Sequence, residues 1–290
     1  MLVSVGDRVR PGLYRMHSRF DRAANYTNGE DLVSVVRKEL GPGPLNIVFD
    51  VNEAGAAGLP AGEALEAGEN WLASGGQRWE VSESLRYRSG LEARGAGLGA
   101  RGSGLEARAR ATALEARLTA VAPPGSVAAM LSVAGEGRQR GAFERALQAR
   151  FRETAECLRA GDLAGCVTRV KGCGIGLTPS GDDFNAGLLL ALSVLDDTRA
   201  SLPNLLALAL GGNPLSNAFL RMAAEGRMTP RQRGLIEAVA GSPAGEPDAA
   251  LAAILEVGAT SGADFATGFL MTFSCRAGAD GAGQGAEPWQ

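Results

Sequence analysis

Apolar and polar residues alternate in short bursts through the first ninety positions of the chain, the period-two pattern of strands with one buried face. Strands are predicted at 13–20, 45–51, 71–73 and 79–81, with the turn clusters GPGP at Gly41 to Pro44 and GLPAG at Gly58 to Gly62 punctuating them. Between the first two, residues 30–40 have helical spacing, so a helix is expected there. From Gly141 onward the apolar positions recur every three to four residues. Helices are predicted at 142–159, 182–195, 205–210, 215–225, 230–240, 248–257 and 264–273.

The two halves are joined by a near-repeat, GLEARGA, GLGARGS, GLEARAR, with a seven-residue step. Each glycine costs a helix interior about 1 kcal/mol, so the first part reads as a solvated connector and only 105–121 as a helix, closed by PPG at Pro123 to Gly125. A coiled-coil partner site is the other reading of that repeat. The expected fold class is α+β: a β-rich or α+β N-terminal domain over 1–100, a mainly α-helical domain over 101–277, and a glycine-rich polar tail over 278–290 expected to be disordered.

Composition narrows the function classes. A hydrophobic content of 45% and a net charge of −3 describe an ordinary folded chain. The basic residues are scattered and almost all arginine, Lys38 and Lys171 being the two lysines, so neither nucleic acid nor a membrane surface is implied as a partner. The longest apolar run, Ala186 to Leu195, is half of the roughly 20 residues that span a bilayer. Four cysteines without a CxxC pair, and an N-terminus without a long apolar segment, fit a reducing cytoplasm. With one histidine, His17, and no spaced His/Cys set, no structural metal site is expected.

The chemistry concentrates at two related helix starts. LTPSGDDFNAGLLL from Leu177 returns as ATSGADFATGFLM from Ala259, with Ser180, Gly181, Asp183, Phe184 and Gly187 matching Ser261, Gly262, Asp264, Phe265 and Gly268. In both, the serine can cap a helix N-terminus while the aspartate three residues later reaches back, a variant of the capping box. The first copy adds the glycines of GCGIG, including Gly174 and Gly176, the Thr178-Pro179 entry, and Asp182 where the second has Ala263. Glycines before a helix let successive N–H groups face a ligand, and the helix dipole favours negative charge. A carboxylate or phosphate is the expected guest, with Lys171 placed to neutralise it. Asp183 is assigned first to capping, which leaves Asp182 to contact an amide or a Mg²⁺ ion bridging to phosphate. A third polar helix entry, at Asn213 and Ser216, converges with the other two if the helices pack side by side. Thr178, Ser180, Asn213, Ser216, Thr260 and Ser261 would then wall a pocket for a small planar amide or urea.

The run GCGIGLTPSGDDFNAGLLLAL, the later GATSGADFATGFL and the opening MHSRFDRAANY resemble the AllH-type subunit of oxamate carbamoyltransferase and its relatives. The resemblance runs from about His17 to Phe273 and departs in the padded region near Gly90, where no family motif is matched. It implies a subunit of a heteromeric enzyme in allantoin and purine breakdown, moving a carbamoyl group between oxalurate and phosphate to give oxamate and carbamoyl phosphate. The implied partners are other subunits of that enzyme and a small anionic substrate, with no cofactor or with Mg²⁺. Asp182, Asp183 and His17 become the catalytic candidates. His17 with Ser18 is read either as a nucleophile or acid/base pair or as a structural histidine, and Arg22 and Asn25 as holders of a substrate carboxylate or as solvated surface. Two further functions stand beside carbamoyl transfer: a non-catalytic anion-binding or assembly subunit, and a Mg²⁺-dependent phosphate-handling enzyme.

Overall fold

A computed structural model of the 290-residue chain describes residues 1–51, 59, 62–90, 104–132, 141–195, 200–243 and 245–276. The padded connector over 91–103 and the tail over 278–290 lie outside the described residues. Two compact units are present, one formed by Met1–Gly95 with Arg227–Arg233, the other by Ala96–Gly226 with Gly234–Gln290. The fold is α+β, a strand-built first unit followed by a helical second.

The first unit is a sheet in which nine strands are described: β1 (Leu2–Gly6), β2 (Gly12–Arg19), β3 (Ala23–Thr27), β4 (Leu32–Arg37), β5 (Asn46–Phe49), β6 (Ala64–Ala67), β7 (Trp71–Ser74), β8 (Gln77–Glu80) and β9 (Arg86–Tyr87). Their order is β8-β7-β6-β2-β3-β4-β5-β1-β9, antiparallel except at β4/β5 and β1/β9. Tyr14, Tyr26, Val33, Val35, Ile47, Phe49, Leu65 and Leu72 fill its core. The helix expected over 30–40 is instead strand β4. Its sequence, LVSVVR, is rich in β-branched residues, and its side chains are buried on both faces of the sheet, which erases the alternation that would have marked it. Segment Arg227–Arg233 joins this unit through Met228, whose N–H donates to Ser89 O and whose carbonyl accepts from the Tyr87 hydroxyl.

In the helical unit follow α1 (Gly104–Val121), α2 (Val127–Leu131), α3 (Ala142–Arg159), α4 (Leu163–Val170), α5 (Ser180–Val194), α6 (Leu202–Ala209), α7 (Pro214–Ala224), α8 (Pro230–Ala240), α9 (Pro247–Leu255) and α10 (Ser261–Arg276). All the helices expected from Gly141 onward are present. The short α2 and α4 went unforeseen. Helix α5 is central: every residue from Ser180 to Val194 except Asp183 is buried. Its main partner is α10. Among the described residues no helix is long and apolar enough to cross a membrane.

The crossing of α5 and α10 obeys the sequence repeat. A Cβ at Gly187 would run into the carbonyl oxygen of Phe265, and one at Gly268 into the carbonyl oxygen of Phe184. Gly187 corresponds to Gly268 and Phe184 to Phe265, so the contact is reciprocal, as about a local two-fold axis. The likeness extends one element back. Gly181 lies against the Val170 carbonyl that ends α4, and Gly262 against the Ile254 carbonyl near the end of α9, with no space for a side chain at either. Gly181 N–H then donates to Cys173 O at 2.8 Å, and Gly262 N–H to Val257 O at 2.9 Å. Two helix-loop-helix units of one design therefore face each other, with the starts of α5 and α10 side by side.

Candidate functional site

The first of the two loops is the glycine-rich one. Val170 ends α4, and Gly172, Gly174 and Gly176 all have positive φ (66°, 122° and 107°), a region that residues with a Cβ avoid. Gly174 packs so closely on the start of α5 that a Cβ there would lie 2.7 Å from Ser180 N. Gly176 is exposed, and Ile175 at the tip is 81% exposed. Lys171, the residue after α4, runs its stem beside Gly211, in the turn before α7.

Neither serine caps its helix. The last non-helical residue before α5 is Pro179 (φ −59°, ψ 143°), whose carbonyl accepts the N–H groups of Asp182 and Asp183, and Ser180 is the first residue inside. An extended proline takes the capping position, and the capping box gives way to bonds between the two copies. Thr178 Oγ1 donates to Asp183 Oδ2 at 3.0 Å and lies 3.2 Å from Ser261 Oγ. Asp264 Oδ1 accepts the N–H of Val127, the first residue of α2, at 2.6 Å, not an N–H of its own helix. The hydroxyls of Ser180 and Thr260 lie near enough to Asp264 to favour its ionised form. The side chain of each copy thus answers the aspartate of the other.

The two adjacent carboxylates of the first copy have distinct surroundings. Asp182, buried, accepts the Gly172 N–H on Oδ1 at 2.7 Å and ties the start of the glycine loop to the first turn of α5. Asp183 keeps partial exposure, yet the surrounding protein pushes its carboxyl up to about 8. Burial is the largest cause; the neighbouring carboxylates of Asp264 and Asp182 push the same way, against hydrogen bonds from Ser261 and Thr178. Burial likewise raises Asp264 to about 6. Its Oδ2 is buried with no hydrogen-bond partner among the described residues. Asp182, read from sequence as the ligand contact, is engaged by backbone, while Asp183, assigned to local structure, is held by the Thr178 hydroxyl beside Ser261 and not by a capping box.

The third entry joins the first. Asn213 caps α7 through Oδ1, which accepts the N–H groups of Leu215 (3.0 Å) and Ser216 (3.2 Å), and its amide donates to Leu177 O at 2.8 Å. Ser216 is buried, and its Oγ has no partner among the described residues. Of the residues singled out from sequence, Thr178, Ser180, Asp183, Thr260, Ser261 and Asp264 form one cluster. Asn213 is linked to it through Leu177, and Gly172 through Asp182; Gly181 and Gly262 serve the close packing beneath. The start of α2, a fourth helix entry, was missed. Its signal was Ser126 after PPG, whose hydroxyl accepts the Ala129 N–H. Among the described residues no group of three or more His, Cys, Asp or Glu gathers as a metal site.

His17 lies in the first unit, exposed on β2, with Nδ1 3.2 Å from Ser18 Oγ. Asn25 is buried and both ends of its amide are used, by Ser18 and Ser34, so it does not offer itself to a substrate carboxylate.

Residues 170–273 match the family model described as oxamate carbamoyltransferase subunit AllH. The match begins at the last residue of α4 and ends within α10, so it takes in both Ser-Gly-x-Asp entries and the entry to α7. Among curated proteins and solved structures, none matches the chain.

Proposed function

We propose, with the AllH-type assignment of residues 170–273 as the premise, that the chain is a subunit of a cytoplasmic carbamoyltransferase. It would act on a ureido acid such as oxalurate with phosphate, giving oxamate and carbamoyl phosphate in purine and allantoin breakdown. The observation that carries this reading is the cluster of Thr178, Asp183 and Ser261 at the joined starts of α5 and α10, beside a loop with three glycines at positive φ.

Carbamoyl transfer between two anions is limited by orienting them and by the charge that develops on the carbonyl oxygen. Helix starts and a glycine loop supply fixed positive dipoles for both tasks. The adjacent carboxylates do not oppose this, because Asp182 is spoken for by Gly172 N–H and Asp183, raised to about 8, is mostly the neutral acid at pH 7. A neutral Asp183 can donate a hydrogen bond to a carbonyl oxygen or a phosphate. Lys171, Gly174, Gly176 and Thr178 would hold the anion, with Ser180, Ser261, Thr260, Gly262, Asp264, Asn213 and Ser216 shaping the surroundings. The transfer asks for no cofactor, and Mg²⁺ would enter only as a bridge between carboxylate and phosphate. The exposed Ile175 at the loop tip suits contact with another subunit.

The test is phosphate-dependent cleavage of oxalurate by the chain assembled with its partner subunits. Asp182→Ala, which frees the glycine loop, should lower turnover at least tenfold, and Asp183→Ala more. Unaltered turnover in both would sink the reading and leave a non-catalytic assembly subunit. Calorimetric titration with Mg²⁺ and phosphate, separately and together, distinguishes the phosphate-handling alternative, which demands heat that depends on both.

A further inference from the structure

The sheet unit carries a cluster of polar side chains that the proposed carbamoyl transfer does not use. Strand β2 runs opposite β3 in regular register until Met16 faces Tyr26; the next pair is Ser18 with Asn25, so two residues of β2 stand against one of β3. His17 is the extra residue of a β-bulge. Without the bulge, neighbours 17 and 18 would project from opposite faces of the sheet. With it, Ser18 comes onto the face of Asn25, opposite to the core residues Ala24 and Tyr26, and the imidazole of His17 reaches the Ser18 hydroxyl at 3.2 Å. Bulges of this kind re-aim side chains beside reactive sites.

Register extends the arrangement into a row. Asn25 faces Ser34 across β3/β4. Ser34 Oγ donates to Asn25 Oδ1 at 2.7 Å, and Asn25 Nδ2 donates to Ser18 Oγ at 3.0 Å. Ser34 and Asn25 are both buried, which fixes the amide's orientation. Ser18 Oγ accepts from Asn25, and in the imidazole tautomer with Nδ1 unprotonated the serine hydrogen is donated to His17 Nδ1. A hydroxyl that accepts one hydrogen bond and donates another to a histidine within about 3.2 Å has the geometry of an activated nucleophile. The Asn25 donor also stabilises negative charge on that oxygen. His17 is exposed, so an incoming molecule can reach the pair.

We propose that Ser18 is an acyl-accepting nucleophile with His17 as its general base and Asn25 as its positioning residue, and that its substrates are small esters with a good leaving group. Ser18 Oγ forms a bond to the carbonyl carbon as the carbon–oxygen bond to the leaving alcohol breaks. The serine proton passes to His17 Nδ1 and from there to the departing oxygen. Water, deprotonated by the same imidazole, then cleaves the acyl-serine to release the acid and restore the hydroxyl.

The experiment uses the full chain with 4-nitrophenyl acetate, following nitrophenolate release and locating the acetyl group by peptide mass. The expected result is a burst approaching one equivalent, with acetyl on Ser18; Ser18→Ala removes the burst and His17→Gln slows it at least tenfold. His17 is exposed and the chain's one histidine, so a control without any substitution is available: diethyl pyrocarbonate should suppress the burst in the unaltered chain. Acetyl found on Lys38, Lys171 or the N-terminus with Ser18 unlabelled overturns the proposal, as does a burst of unchanged rate after His17 is replaced or blocked.

Discussion

The start of α5 and the start of α10 are built from one sequence pattern and finish as different objects. Both begin with Ser-Gly-x-Asp, both rest their second residue on the carbonyl of a preceding short helix, and each meets the other through a glycine. The first is preceded by nine loop residues with three glycines at positive φ; the second has five, and Gly258 alone has positive φ. Asp183 is an intermediate-exposure residue with hydroxyl neighbours, whereas Asp264 is fully buried and held by the Val127 N–H. What the pair teaches is that the pattern encodes a packing solution, and the loop before it decides whether that solution opens onto solvent. The second copy is the internal control for the first.

The comparison can be broken most severely at the crossing. Gly187→Ala and Gly268→Ala should each destabilise the helical unit by about 3 kcal/mol, since the added methyl meets backbone that cannot be displaced without moving a helix. Urea denaturation checks this, and equal losses in the two variants are expected from the reciprocal contact. A smaller effect is expected at Asp264. Replacement by Ala strands the Val127 N–H and should cost about 1–3 kcal/mol, while Asn, which keeps an acceptor, should cost less than half as much.

Next is the response to pH. A carboxyl raised in the folded chain binds its proton more tightly there than in the unfolded chain, whose value is near the usual 3.9. The stability this contributes is complete below about 4 and is lost as pH rises through the folded value, about 6 for Asp264 and about 8 for Asp183. Unfolding free energy should therefore fall between about pH 4 and 8, by no more than about 1.4 kcal/mol per pH unit for each group. Asp183→Asn should flatten the part between pH 6 and 8; an unchanged slope would show that its carboxyl is ionised throughout. The smallest effect is expected for Ser180→Ala. A capping serine would be worth about 0.5–2 kcal/mol, and because Pro179 holds the capping position the loss should lie at or below the bottom of that range.

Much of this was legible in the sequence. The repeat at Leu177 and Ala259 announced paired helix starts, and the helices after Gly141 followed from their period. What was illegible has local causes. The strand of 32–37 lost its alternation to burial on both faces. The serines looked like caps because capping is a property of neighbours in sequence, whereas the bonds actually formed, Thr178 to Ser261 and Val127 to Asp264, join residues 83 and 137 positions apart. The separation of roles between Asp182 and Asp183 followed the same rule: Gly172 N–H, ten residues upstream, decides it. The bulge at His17 was likewise hidden, since register belongs to two strands at once.

The reciprocal glycine contact carries a mechanical consequence. Where backbone touches backbone, neither rod can roll on its axis without turning the other, as with meshed teeth. A guest that nudges the first turn of α5 is therefore felt at the first turn of α10 and, through the amide of Val127, at α2. The helix start behind the glycine loop and its silent twin are geared together, and whatever tightens one sets the position of the other.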